Sequence, residues 1–226
     1  MAGRDGDSPE GDEDRDRVSR AGFTLGLRRH GIRDLRVLSA MEQVPRKLFL
    51  PAHLHADAYT DRALPIECGQ TISQPSLVAM MTEALGVQPG DRVLEVGTGS
   101  GYQAAVLSKL AREVYTIERF RSLLSLAEER FAALRLSNIM TKLDDGALGW
   151  PEKAPFDRIV VTAAAAELPE ALVAQLKIGG VMVVPVGPAG SVQTLLKIVR
   201  TPEGYTPAAL AEVRFVPMVA GVASRL

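Results

Sequence analysis

Cysteine is almost missing from this chain. Cys68 is the only one in 226 residues, which excludes an internal disulfide and a cysteine-based zinc site. Aromatic residues make up 5% of the chain, too few to supply the stacking platforms that hold single-stranded nucleic acid. Charge of either sign is not in excess. The 26 basic and 27 acidic residues leave a net charge of −1, so there is no bulk pull toward a polyanion or an anionic membrane. No apolar run approaches the ~20 residues needed to span a bilayer. The start is acidic and lacks an apolar core segment, so it does not read as a secretory signal. What is present is ordinary for a globular chain: 46% hydrophobic and 23% charged residues. A chain of this length buries roughly 70% of its unfolded surface, enough to form a core without metal or cross-links. The expectation is a monomeric cytoplasmic protein that touches neither nucleic acid nor membrane.

Residues 1–21 differ from the rest. Met1–Arg20 carries seven acidic and four basic residues with almost nothing apolar, and such a segment cannot offset its ordering entropy by burial. It reads as a disordered tail. The body keeps 22 basic and 20 acidic residues. From Gly22 the pattern turns globular. Arg33–Val44 reads as a helix that Val44-Pro45 ends, because a residue before proline avoids the helical region. Leu77, Met80, Met81, Ala84 and Leu85 mark one face of a helix opening near Pro75. An alternating series follows: strands at Arg92–Val96, Val114–Ile117, Ile139–Leu143, Arg158–Thr162 and Val181–Val186, with helices at Tyr102–Leu110, Phe120–Leu134 and Pro169–Leu176. Gln193–Arg200 and Ala211–Val216 read as final strands. Strands alternating with helices predict an α/β doubly wound, mostly parallel sheet covered on both faces.

The strongest local signal is Leu94-Glu95-Val96-Gly97-Thr98-Gly99-Ser100-Gly101-Tyr102. It sits between the first strand of the series and its helix, where glycines permit close backbone approach to a ligand at the helix N-terminus. Glu118 follows the next strand, and a carboxylate there can accept two hydrogen bonds from a ribose diol. A dinucleotide calls for G-x-G-x-x-G, whereas this loop is G-x-G-x-G with Glu95 just before it. A carboxylate so placed repels a pyrophosphate and suits a cation. The reading is therefore S-adenosylmethionine, with Glu95, Gly97, Thr98, Gly99, Ser100, Gly101, Tyr102 and Glu118 around it. A nicotinamide dinucleotide and a bare structural turn are the alternatives. Asp145-Gly146, closing the third strand, lies where a carboxylate can accept an adenine amine. The run Val160–Ala166 after the fourth strand is small and apolar. It lacks the Asn-Pro-Pro-Tyr and stacking aromatic often seen where a base or amide nitrogen is methylated.

Further segments carry a resemblance. They are Val44-Pro45-Arg46-Lys47-Leu48-Phe49, Ala58-Tyr59-Thr60-Asp61, Ala63-Leu64-Pro65-Ile66, Gly69-Gln70-Thr71-Ile72-Ser73-Gln74-Pro75, Pro155-Phe156-Asp157, Gly179-Gly180 and Arg214-Phe215-Val216-Pro217. With them the chain, from about Gly22 to Val222, resembles the protein-L-isoaspartate (D-aspartate) O-methyltransferases. The glycine loop marks the superfamily and Gln70–Pro75 the family. The resemblance implies a Rossmann-like methyltransferase domain over 22–226. Residues 22–90 would form a helical cap with a substrate loop and 91–226 the cofactor-binding core. It implies methyl transfer from S-adenosylmethionine to the α-carboxyl of L-isoaspartyl residues, and more weakly to D-aspartyl residues, in damaged proteins. S-adenosylhomocysteine is the other product, and no metal is involved. By the same resemblance Ser73 is the active-site residue, and Thr71, Ile72, Val216 and Pro217 line the peptide groove.

From spacing alone Ser73 has a second reading, as the N-cap of the helix opening at Pro75. His30, His53 and His55 fall outside the matched motifs and read as surface or packing residues. A carboxyl acceptor, ionised at neutral pH, needs no general base. Two other functions stay open: a relative that esterifies normal aspartate in one dedicated ribosomal peptide, and a cofactor-binding relative without turnover.

Overall fold

The computed structural model describes residues 22–223; the charged segment over 1–21 lies outside them. Three helices and a short hairpin precede the sheet: α1 (22–29), α2 (Leu35–Gln43), the two-stranded pair β1 (Leu64–Pro65) and β2 (Thr71–Ile72), and α3 (Pro75–Leu85). Then come β3 (Arg92–Val96), α4 (Tyr102–Ser108), β4 (Glu113–Glu118), α5 (Arg121–Ala133), β5 (Ile139–Leu143), β6 (Phe156–Val161), α6 (Glu170–Val173), β7 (Leu176–Val186), β8 (Gln193–Thr201) and β9 (Gly204–Val213).

The last seven strands form one sheet in the order β5-β4-β3-β6-β7-β8-β9. From β5 to β7 the pairs are parallel, and β8 and β9 close the far side antiparallel. Alternate residues of each central strand feed opposite faces. Val93, Val114, Val160 and Val183 join the larger core, which extends to Phe23, Met41 and Phe49 of the cap. Leu94, Val96, Ile159 and Met182 face the other core, under α6 and Trp150. Apolar residues on both faces explain why these strands read as continuous apolar runs in the sequence.

The chain leaves β3 toward β4 and β5, then returns to β6 on the other side. The carboxyl end of β3 is thus the switch point, where open α/β sheets carry their ligands. Residues 69–73 of the hairpin segment, Val78 and Met81 of α3, and Val216–Val219 of the C-terminal return line a cleft at this end.

Three expectations need correction, and two elements were unforeseen. The last strand begins at Gly204, not Ala211, and stops at Val213. Its residues are mostly exposed, so the apolar pattern that marks buried strands is missing, and pairing along β8 defines it instead. Beyond Val213 the chain folds back over the end of β6, where Ala164 N–H donates to Val216 O (2.8 Å) and Met218 N–H to Ala164 O (2.7 Å). The helix expected over Pro169–Leu176 is four residues long, and β7 already starts at Leu176. A bulge between Phe156 and Arg158 opposite Gly179-Gly180 lets β7 absorb this early start. Finally, α1 and the β1–β2 hairpin were not anticipated, because both are too short for periodicity to mark.

Candidate active site

The glycine loop is pinned by backbone donors rather than by side-chain packing. Gly97 and Thr98 N–H both donate to Ile117 O (2.9 and 3.1 Å), tying the loop to the end of β4. Gly99 N–H donates to Glu118 Oε2 (2.8 Å). The other oxygen, Oε1, accepts from Arg119 N–H (2.8 Å) and Phe120 N–H (3.0 Å) at the entrance to α5. Glu118 is therefore a carboxylate held by three backbone donors at the cleft wall. Gly97 has φ +98°, and a Cβ there would sit 2.4 Å from Thr162 Oγ1. The Thr162 hydroxyl itself donates to Gly97 O (2.7 Å). Gly101 opens α4 at φ +91° and lies against Phe131, so it supports the loop from outside the cleft.

The cleft has a volume of about 280 Å³, near the lower end of small-molecule sites. One wall is the loop and β4 end, with Gly97, Thr98, Gly99, Ser100, Tyr102 and Glu118. The opposite wall is Thr71, Ile72 and Ser73 from the hairpin side, with Val216 and Pro217 from the returning C-terminal segment. Gly146 closes the far end. A smaller groove adjoins it, and Thr71, Ser73, Thr162 and Val216 line both cavities. The sequence reading missed Thr162, Phe120, Gln70 and Met218, which also line the cleft, and Arg214 of the groove. Thr162 and Phe120 were findable, since they lie one and two residues past strand ends of the ligand-bearing edge.

Ser73 is not the cap of α3. Gln74 holds that position without a side-chain capping bond. The cap function is supplied from a distance, by Asp61 Oδ1 accepting from Ser76 N–H (2.8 Å). Asp61 is in turn 3.2 Å from His30 Nε2. The Ser73 hydroxyl makes no hydrogen bond among the described residues and is half-buried at the meeting of the two cavities.

Besides Gly101, two further expected ligand contacts are not brought to the cleft. Asp145 caps the short turn that follows it, its Oδ1 accepting from Ala147 N–H (2.9 Å). Its Oδ2 accepts from Gly221 N–H (2.7 Å). Glu95 lies under the loop, fully buried, and accepts a short hydrogen bond from Thr116, whose hydroxyl also meets Thr98 Oγ1 at 2.6 Å. Burial pushes the Glu95 carboxyl up to about 8, against the opposing Thr116 bond and Ala104 N–H. At neutral pH it is mainly the neutral acid, so the expectation of a cation-attracting charge passes to Glu118, which does face the cleft.

Glu95 makes a stability signature. Its folded pKa lies above the ordinary 4.5, so its contribution is complete below about pH 4.5 and is lost as the pH rises through about 8. Denaturant unfolding of the wild type should weaken across that window relative to Glu95→Gln, by up to about 1.4 kcal/mol per pH unit. Parallel profiles for the two proteins would show that Glu95 is ionised in the fold.

Cys68 sits at φ +58° in the hairpin turn, with Sγ 3.2 Å from Ser122 Oγ. Trp150 packs edge-on against Tyr115, 5.5 Å between ring centres. Among the described residues none of the three histidines lines the cleft.

The family profile described as protein-L-isoaspartate(D-aspartate) O-methyltransferase matches residues 21–223. A protein-L-isoaspartate O-methyltransferase of Parvibaculum lavamentivorans is 60% identical over 201 residues, 88% of this chain and 90% of that one. Its namesake from Xanthobacter autotrophicus is 54% identical over 216 residues, 96% and 99% of the two chains. Among solved structures, a protein-L-isoaspartate O-methyltransferase superposes with a TM-score of 0.81 at 30% identity, over 90% of this chain and 67% of the other. A putative one from Plasmodium falciparum, solved with S-adenosyl-L-homocysteine, superposes with a TM-score of 0.76 at 28% identity, over 88% and 97% of the two chains. A profile match over nearly all of the described residues, with relatives 54–60% identical across most of both chains, shows that the chain belongs to the protein-L-isoaspartate (D-aspartate) O-methyltransferase family.

Proposed function

We propose that the covered cleft carries out the family's reaction with the donor against the glycine loop and the acceptor entering past Ser73. The enzyme is an S-adenosylmethionine-dependent protein carboxyl methyltransferase. It esterifies the α-carboxyl of L-isoaspartyl residues in damaged proteins. The following backbone amide nitrogen then attacks the ester and expels methanol to close a succinimide, which water reopens partly to normal aspartate.

The residues present fit the donor. Gly97, Thr98 and Gly99 offer backbone against which a small ligand can lie, Glu118 is a fixed carboxylate for a ribose diol, and Phe120 and Gly146 suit a planar base. S-adenosylmethionine, when bound, supplies an electrophilic methyl group on a positively charged sulfur. The rest falls to the chain. The acceptor carboxyl is ionised at neutral pH, so it needs orientation rather than deprotonation. Ser73 Oγ–H can donate one hydrogen bond to it. Ile72, Val216 and Pro217 line the same space and keep water, the competing nucleophile, away. Placement of this kind can be worth about 7–11 kcal/mol of the barrier.

The observation that carries the reading is the uncommitted Ser73 hydroxyl at the junction of cleft and groove. The experiment is transfer of radiolabelled methyl groups to matched isoaspartyl and aspartyl peptides, with base-labile product counted. Label on the isoaspartyl peptide is the expected result. Label confined to the aspartyl peptide would instead favour a methyltransferase that esterifies aspartate in a dedicated peptide, and label on neither a binding relative. In this reading the chain acts as a cytoplasmic monomer with neither nucleic acid nor membrane as partner, and sedimentation at micromolar concentration tests the monomer.

A further inference from the structure

Arg46 is a charged residue with no exposed surface. It opens the short 3-10 turn Arg46–Phe49. Its Nε donates to Ala58 O (2.9 Å) and its Nη2 to Ser73 O (2.7 Å). Its Cζ lies 4.9 Å from the centre of the Tyr102 ring, and Phe49 packs edge-on against the same ring at 5.4 Å. Tyr102 is the first residue of α4 and part of the cleft wall. Nη1 and the Tyr102 hydroxyl are buried without a hydrogen-bond partner. Arg46 forms no ion pair among the described residues. Burying a guanidinium without a paired carboxylate is costly, and burial lowers its pKa from the usual 12.5.

A buried cation of this kind needs a compensating use, and among the described residues its fork bonds two carbonyls and rests on one aromatic face, with the Asp61 carboxylate near enough to favour its charge. The carbonyls come from chain segments 15 residues apart, at the end of the 52–57 turn and at Ser73. The ring belongs to the helix that follows the glycine loop. We infer that Arg46 is a positioning residue for the methyl acceptor: its fork holds the Ser73 backbone against the cofactor-side helix, so that the Ser73 hydroxyl stays at the cleft. This rests on the reading of Ser73 given above. The planar fork matters because two donors in fixed relation are needed to bridge Ala58 O and Ser73 O while the flat face rests on Tyr102. A lysine ammonium is a point charge and cannot span both. Asp61 complements it by capping α3 at Ser76 N–H, which leaves the Ser73 hydroxyl uncommitted while Arg46 holds its carbonyl.

Arg46→Lys keeps the charge and one hydrogen bond; Arg46→Gln, neutral and shorter, is the second variant should the first fold poorly. Three readouts separate positioning from general support. First, kcat on an isoaspartyl peptide should fall roughly tenfold, while the melting-temperature shift caused by S-adenosylhomocysteine stays as in the wild type. Second, in a double-mutant cycle Arg46→Lys should cost less than about twofold once Ser73 is alanine, because both changes remove one function. Third, amide exchange in the first turn of α3, at Ser76–Val78, should quicken while β3 and β4 exchange as before. Additive losses in the cycle, or unchanged exchange at Ser76–Val78, overturn the inference. If the wild type turns over no isoaspartyl peptide, the functional reading has failed; the exchange experiment still decides the clamp.

Discussion

Ser73→Ala should lower methyl transfer to an isoaspartyl peptide by roughly ten- to hundredfold, with S-adenosylhomocysteine affinity nearly unchanged. The magnitude follows from one hydrogen bond to a charged acceptor, about 1.5–3 kcal/mol, converted to rate. The separation of effects follows from the cleft's anatomy. Ser73 is on the hairpin wall, and the glycine loop and Glu118 are on the opposite one. Because Ser73 does not cap α3, its removal deprives that helix of nothing. The melting temperature should therefore hold, which a capping role would forbid. Initial rates at saturating donor, with calorimetry for S-adenosylhomocysteine, give both numbers. Unchanged turnover would take Ser73 out of the reaction.

Gly97→Ala should act on the other wall and on the fold as well. Its φ of +98° strains any residue with a Cβ, by about 1–3 kcal/mol. The added carbon would also meet Thr162 Oγ1 at 2.4 Å. That hydroxyl donates to Gly97 O and Val96 O (2.7 and 3.0 Å), so its displacement loosens the junction between β3 and the end of β6. We expect S-adenosylhomocysteine affinity to fall by about tenfold or more and the melting temperature by roughly 5–10 °C. Adding Thr162→Ala in the same chain should return the share due to the collision and leave the share due to the backbone. Wild-type binding in Gly97→Ala would mean that the loop does not carry the donor.

Much of this architecture was legible from local pattern. The glycine loop declared itself because only glycine tolerates positive φ at three nearly consecutive positions. The parallel strands showed as short apolar runs because both faces are covered. The edge strand β9 did not show, since its solvent-facing residues carry no burial pattern and only β8 defines it. Glu95 illustrates a different limit. Its sequence position suggested a charge facing a cation, yet burial beside Thr116 neutralises it, and no pattern encodes the dielectric around a side chain. Asp145 likewise sat next to the cleft in sequence but spends its oxygens on Ala147 and Gly221.

Order along the chain was enough to dictate a sheet whose ligand edge lies after β3, because strand, glycine turn and helix are neighbours and their chemistry is local. It was also enough to single out Ser73 through its motif. Whether that hydroxyl is free could be decided only by contacts between distant segments. Asp61 reaches across 15 residues to cap α3, and Arg46 reaches across 27 to hold the Ser73 carbonyl. Both spans exceed any helical or strand period, so they exist only once the cap has packed onto the sheet.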